Sequence, residues 1–199
     1  MTFLADRDHI VFMKVGRHAG ETFEEILARK RREYDDAGAI FWGYGGGTMH
    51  PTQKVQPFVR MHIDQGSGVR LVMQEMNSQH PATDVFATHF SADGVDWERI
   101  PAGVNVRGSR YALVLDQIEE GDLVDLDLSE YRVGAGPSAG KSAADYIRGR
   151  VDKGCLERVT AAEGDGGGLL SEPVKVVPVR YSAKLKAPYA VLLKTDPDA

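Results

Sequence analysis

A chain of 199 residues that is 42% hydrophobic and 27% charged, with a formal net charge of -5, has the size and composition of a single globular domain, taken as residues 1–199. Its pI of about 5.7 argues against a protein that simply coats nucleic acid, and its mean hydropathy of -0.30 goes with no apolar run approaching a membrane-spanning helix, so no membrane association is expected. Asp6, Arg7 and Asp8 fall where a secretory signal is apolar, and Cys155 is the single cysteine, so no internal disulfide is expected and a reducing cytoplasm is the natural compartment.

In chain order, Ile10 to Val15 is apolar and rich in β-formers, which predicts a strand. Thr22-Phe23-Glu24-Glu25 has the form of a capping box, and Phe23, Ile26, Leu27, Tyr34 and Ala37 recur at helical spacing before Gly38, so a helix is predicted over 23–37. Its basic run Arg29-Lys30-Arg31-Arg32 is flanked by Glu25, Glu33, Asp35 and Asp36 and reads as a solvated, neutralised face. Ala39 to Trp42 predicts a second short strand. From Val59 the residues alternate with period two, and alternation resumes at Val69 after Gln65-Gly66-Ser67-Gly68, which predicts a hairpin. Asp84 to Phe90 and Val95 to Ile100 flank the Asp93-Gly94 turn and predict another, with Trp97 covering the turn.

Tyr111 to Asp116 and Asp122 to Leu128, joined by Glu119-Glu120-Gly121, predict a third hairpin. A shorter helix is predicted over 142–151, a glycine-rich loop over 163–168, and two last strands over 174–182 and 188–194. Hairpins make antiparallel ladders, so the expected fold is α+β: one mainly antiparallel curled sheet, barrel-like at its most closed, with two main helices packed on it. Asp116 to Glu130 carries seven acids and no base, while Pro173 to Lys194 carries five bases and no acid; pairing of these edges would make the asymmetry internal.

Two glycine-rich segments carry the chemistry. In Trp42-Gly43-Tyr44-Gly45-Gly46-Gly47-Thr48-Met49-His50, three consecutive glycines give a backbone that a ligand can approach closely. Trp42 and Tyr44 are placed to stack on a base or sugar, the amides of Gly45, Gly46 and Gly47 and the Thr48 hydroxyl to meet an anion, and His50 to transfer a proton. The alternative is a flexible connection with Trp42 in the core.

The segment from Ala135 to Ser142 resembles the relaxed Walker A pattern, with Ala135 in place of the first glycine. That resemblance implies a phosphate held by amides after Gly140, a charge from Lys141 and, if the ligand is a nucleoside triphosphate, Mg²⁺ on Ser142. The residues that follow read as a loop and an antiparallel pair, not the parallel sheet of a P-loop NTPase, which leaves phosphate binding in another fold or a plain strand-to-helix turn.

The six histidines show no metal-site spacing, and Asp125 and Asp127 on one strand face read as solvated more readily than as a cation site. The expected function is therefore that of a nucleotide- or nucleic-acid-handling protein binding a phosphate-bearing ligand through its glycine-rich loops. The alternative is a non-enzymatic interaction or regulatory module with no small-molecule ligand.

Overall fold

The computed structural model describes residues 4, 8–81, 85–148, 151–159 and 176–195. Strand β1 (His9–His18) alternates its side chains between two apolar layers: Val11, Met13 and Val15 enter one core, Ile10 and Phe12 another. Helix α1 (Phe23–Ala37) follows. The Thr22 hydroxyl accepts from the Glu25 amide at 3.3 Å and the Glu25 carboxylate accepts from the Thr22 amide at 2.7 Å, while Gly38 at φ 68° ends the helix in the left-handed conformation that a side chain disfavours. Strand β2 (Ile40–Tyr44) then leads into a π-helical turn, Pro51–Val55, continuous with helix α2 (Gln56–Asp64).

Strand β3 (Val69–His80) lies parallel to β1, its Val69 opposite His9. A parallel pair requires a crossover, and the chain between the two strands, carrying α1, β2 and α2, supplies it. The short strands β4 (His89–Ser91) and β5 (Glu98–Arg99) form the hairpin around Asp93-Gly94, where the Asp93 carboxylate accepts from the Val95 and Asp96 amides. Strand β6 (Tyr111–Asp127), strand β7 (Tyr131–Val133), the four-residue helix α3 (Ala143–Tyr146), strand β8 (Lys153–Arg158) and strand β9 (Val176–Lys194) complete the fold. The main path of the sheet runs β2-β6-β9-β3-β1-β8-β7, with β4 added to β9 and β5 to β4.

The expected combination of a sheet with two main helices is met in part, but the mainly antiparallel curled, barrel-like form of that sheet is corrected. The sheet is mixed, with the parallel β1–β3 pair near its middle, and it is not closed: β2 and β7 stand at the ends of its main path. The reason lies in three segments. Residues 56–64 are helical, burying Gln56, Val59 and His62 at helical spacing, while Met61 and Ile63, which made the period-two pattern, are left 42% and 41% exposed. Glu119-Glu120-Gly121 does not turn. Strand β6 runs straight through it, and irregularities in its register against β9 absorb the offset.

Likewise β9 is one strand of 19 residues where two were expected. The second predicted helix shrinks to α3, and the 163–168 loop lies outside the described residues. Pairing of β6 with β9 brings the acidic and basic segments together, with Arg180 2.7 Å from Glu120. No described helix is long and apolar enough to cross a membrane.

Candidate functional site

A cavity of about 430 Å³ opens between β1 and β2. Met13 to Gly16 and His18 supply one wall, Trp42 to Gly46 another, α1 contributes Ile26, Arg29 and Lys30, and Asn105 to Ser109 and the Asp152-Lys153 pair close it. Five of its lining residues are Lys or Arg (Lys14, Arg29, Lys30, Arg107, Lys153), and Asp152 is the one carboxylate among them. Glu21 and Glu33, paired with Arg29 and Lys30, flank this lining, so three carboxylates meet five cations and an excess of two positive charges favours an anion.

Four of the five basic groups are held by named partners. Arg29 forks onto Glu21 through Nε at 2.9 Å and Nη2 at 2.7 Å, and Arg107 lies 4.0 Å from the same carboxylate while donating to the Ala19 carbonyl at 3.0 Å. The arginine contacts hold the Glu21 carboxyl below its usual range. Lys153 pairs with Asp152 at 2.6 Å, and partial burial lowers the Lys14 ammonium.

Lys30 is almost wholly buried and donates to Glu33 at 2.7 Å, to the Phe41 carbonyl at 2.5 Å and to the Asn105 carbonyl at 3.1 Å. Glu33 in turn accepts from the Phe41 amide at 2.6 Å and the Asn105 amide at 3.2 Å. This ion pair therefore occupies the place of a neighbouring strand at the outer edge of β2 and ties that edge to the 105–109 segment. Loss of water around Lys30 pulls its ammonium down to about 8 against the opposing charge of Glu33.

The first glycine-rich segment divides at this cavity. Trp42, Tyr44, Gly45 and Gly46 line it, and a side chain added at Gly45 or Gly46 would meet open space. Trp42 is only 4% exposed, and Tyr44 is buried with its hydroxyl donating to the Met49 carbonyl at 2.7 Å, so both rings are fixed by the core. Burial raises the Tyr44 phenol well above its usual range. Gly47 and Thr48 lie outside the lining; the Gly47 carbonyl accepts from Lys54 at 2.8 Å. His50 is also outside it, its Nδ1 3.3 Å from the Thr52 hydroxyl and its ring 5.2 Å from that of Tyr111.

Gly140, Lys141 and Ser142 do not line the cavity either. Their loop closes on itself: the Gly140 amide donates to Val133, the Ala139 amide to Gly136 and the Lys141 amide to Ser138, at 2.7, 3.0 and 3.1 Å. The two glycine-rich segments approach each other at Lys54, whose Nζ stands 3.5 Å from where a Cβ on Gly136 would lie. Asp127 accepts from the Ser129 amide and hydroxyl, and among the described residues no three His, Cys, Asp or Glu side chains gather as metal ligands.

The cationic lining is what sequence reasoning missed. Arg29 and Lys30 belong to the run read as a solvated face, yet Lys30 follows Phe23, Ile26 and Leu27 on the buried side of α1 at helical spacing, and that was the available signal. Lys14, Arg107 and Lys153 come from distant elements and carry no local signal. Compared with family models, curated proteins and solved structures, the chain matches none.

Proposed function

We propose that the protein binds a phosphate-bearing ligand of nucleotide type in the cavity between β1 and β2. The carrying observation is the lining itself, in which five basic side chains, set against Asp152 and the flanking Glu21 and Glu33, surround a space about 430 Å³ in volume. That volume falls within the range of roughly 300–1,000 Å³ typical of small-molecule sites. Trp42 and Tyr44 give the site a rigid apolar side, and the basic groups give it an anionic preference. Gly140, Lys141 and Ser142 are left out of this proposal because none of them lines the cavity and the Gly140 and Lys141 amides already have partners. The single thiol of Cys155, buried among apolar side chains, supports a reducing cytoplasmic setting.

The test is calorimetric titration with nucleoside 5′-monophosphates and triphosphates, the latter with and without Mg²⁺, against the matching uncharged nucleosides. Phosphorylated compounds are expected to bind, with affinity falling as salt rises. Arg29→Ala removes charge-assisted contacts worth about 1.5–3 kcal/mol, so affinity should drop roughly tenfold to a hundredfold. Equal binding of nucleoside and nucleotide would reject the anionic reading, and no binding by either would favour an interaction module.

A further inference from the structure

The cavity lies where two strands lose their neighbours. Strand β8 pairs with β1 only over Ile10–Met13, followed by one bond from the Lys14 amide to the Asp152 carbonyl. Strand β2 has β6 on one side and, among the described residues, no strand on the other. Met13 to Gly16 and Trp42 to Gly46 line the same space, so both unpaired edges border it.

The direction of the β2 main chain follows from Phe41. Its N–H donates to Glu33 and its C=O accepts from Lys30, so both groups point away from β6. In an antiparallel ladder, residues alternate between facing the partner strand and facing away from it. The register is continuous from Ile40 to Tyr44, so Gly43 faces outward as Phe41 does. At Phe41 the outward pair is covered by Lys30 and Glu33. At Gly43, among the described residues, it has no partner, and Gly43 lines the cavity.

A side chain at Gly43 would come within 2.5 Å of the Ser109 hydroxyl and 2.7 Å of Val106 Cγ1, so glycine is what lets the 105–109 wall close against the strand at this point.

We propose that the outward N–H and C=O of Gly43 read the edge of a planar heterocyclic base, with the basic side chains left to hold its phosphate. The inference rests on the cavity being a nucleotide site. One uncovered residue offers one donor beside one acceptor. That is too little edge for an added peptide strand, which pairs over several residues, and it suits a nucleobase, whose Watson–Crick edge presents a donor next to an acceptor.

The chain contains a single Trp-Gly step, Trp42-Gly43, so carbonyl-¹³C tryptophan combined with ¹⁵N glycine marks the Gly43 amide alone in a carbonyl-correlated spectrum. The labelled protein is titrated with the four common nucleoside 5′-monophosphates, and each that binds is compared with its counterpart methylated at the ring nitrogen of the Watson–Crick edge. The Gly43 amide is expected to shift saturably, with at least tenfold weaker binding of the methylated compound. If a monophosphate binds while the Gly43 signal stays in place, or if the methylated form binds equally well, main-chain reading of the base is overturned and the nucleotide site stands. If no monophosphate binds, the inference falls, and if the triphosphates also fail to bind, the nucleotide site falls with it.

Discussion

Lys30 shows how a single buried charge can be worth keeping. Its three bonds and those of Glu33 satisfy the main chain at Phe41 and at Asn105, so the pair does the work of a strand with two side chains. Removing one partner of such a pair leaves the other charge in a low-dielectric interior. Lys30→Met is therefore expected to destabilise the protein by about 3–5 kcal/mol, the usual range for breaking a buried ion pair. Urea denaturation checks this, and Lys30→Met combined with Glu33→Leu should cost less than the sum of the two single changes because their effects couple. A loss for Lys30→Met below about 1 kcal/mol, the range of exposed pairs, would show that the pair is solvated in solution.

At the scale of elements, β1, α2 and β8 meet at a pair of histidines. His9 stacks on His62 with ring centroids 3.6 Å apart and planes 21° from parallel, Phe58 packs edge-on against both, and His9 Nδ1 accepts from the Arg158 amide at 3.0 Å. His62 is 1% exposed, with neither ring nitrogen bonded among the described residues. Burial, then the mutual repulsion of two imidazolium charges, lowers His9 to about 4, and burial lowers His62 in the same direction.

A group whose folded value is depressed binds fewer protons folded than unfolded between the two values. The stability it supports is therefore complete above about 6.5, the unfolded histidine value, and is lost as the pH falls toward the folded one. The urea midpoint should decline from pH 6.5 to pH 5, before the carboxylates titrate, and His62→Leu should flatten that decline. A profile unchanged by His62→Leu would place the acid sensitivity elsewhere.

The same scale explains what the sequence made legible. Helix α1 was readable from end to end because its capping box, its apolar spacing and Gly38 are all local signals. The Asp93-Gly94 turn was readable for the same reason. Residues 59–64 satisfied two periods at once, and burial of Phe58, Val59 and His62 against the sheet decided for the helix. The course of β6 through Gly121 depends on β9, more than fifty residues away in the chain, and no local pattern carries that. Trp42, Tyr44, Gly45 and Gly46, singled out from the cost of keeping glycines together, line the cavity, whereas the cations beside them converge only in three dimensions.

At the scale of the whole molecule, β8 links the cavity to the core. Asp152 and Lys153 line the cavity, and two residues on from Lys153 the thiol of Cys155 is buried in the core, where loss of water pushes it up to about 12. Thiolate is the reactive form, so at neutral pH labelling of Cys155 must pass through an opened state. Because β8 is hydrogen-bonded to both β1 and β7, exposing the thiol separates the walls of the cavity along with the strands.

A ligand that binds only the closed molecule stabilises it by about 2.7 kcal/mol at a concentration 100 times its dissociation constant. Where opening and closing are fast relative to the chemistry, labelling tracks the population of the opened state. The expected outcome is that a thiol reagent modifies Cys155 about a hundredfold more slowly in that ligand concentration, with a rate that follows the binding isotherm. A rate indifferent to a ligand that demonstrably binds would mean that β7 and β8 peel from β1 while the cavity stays intact, which would locate the least stable part of the fold at that end of the sheet.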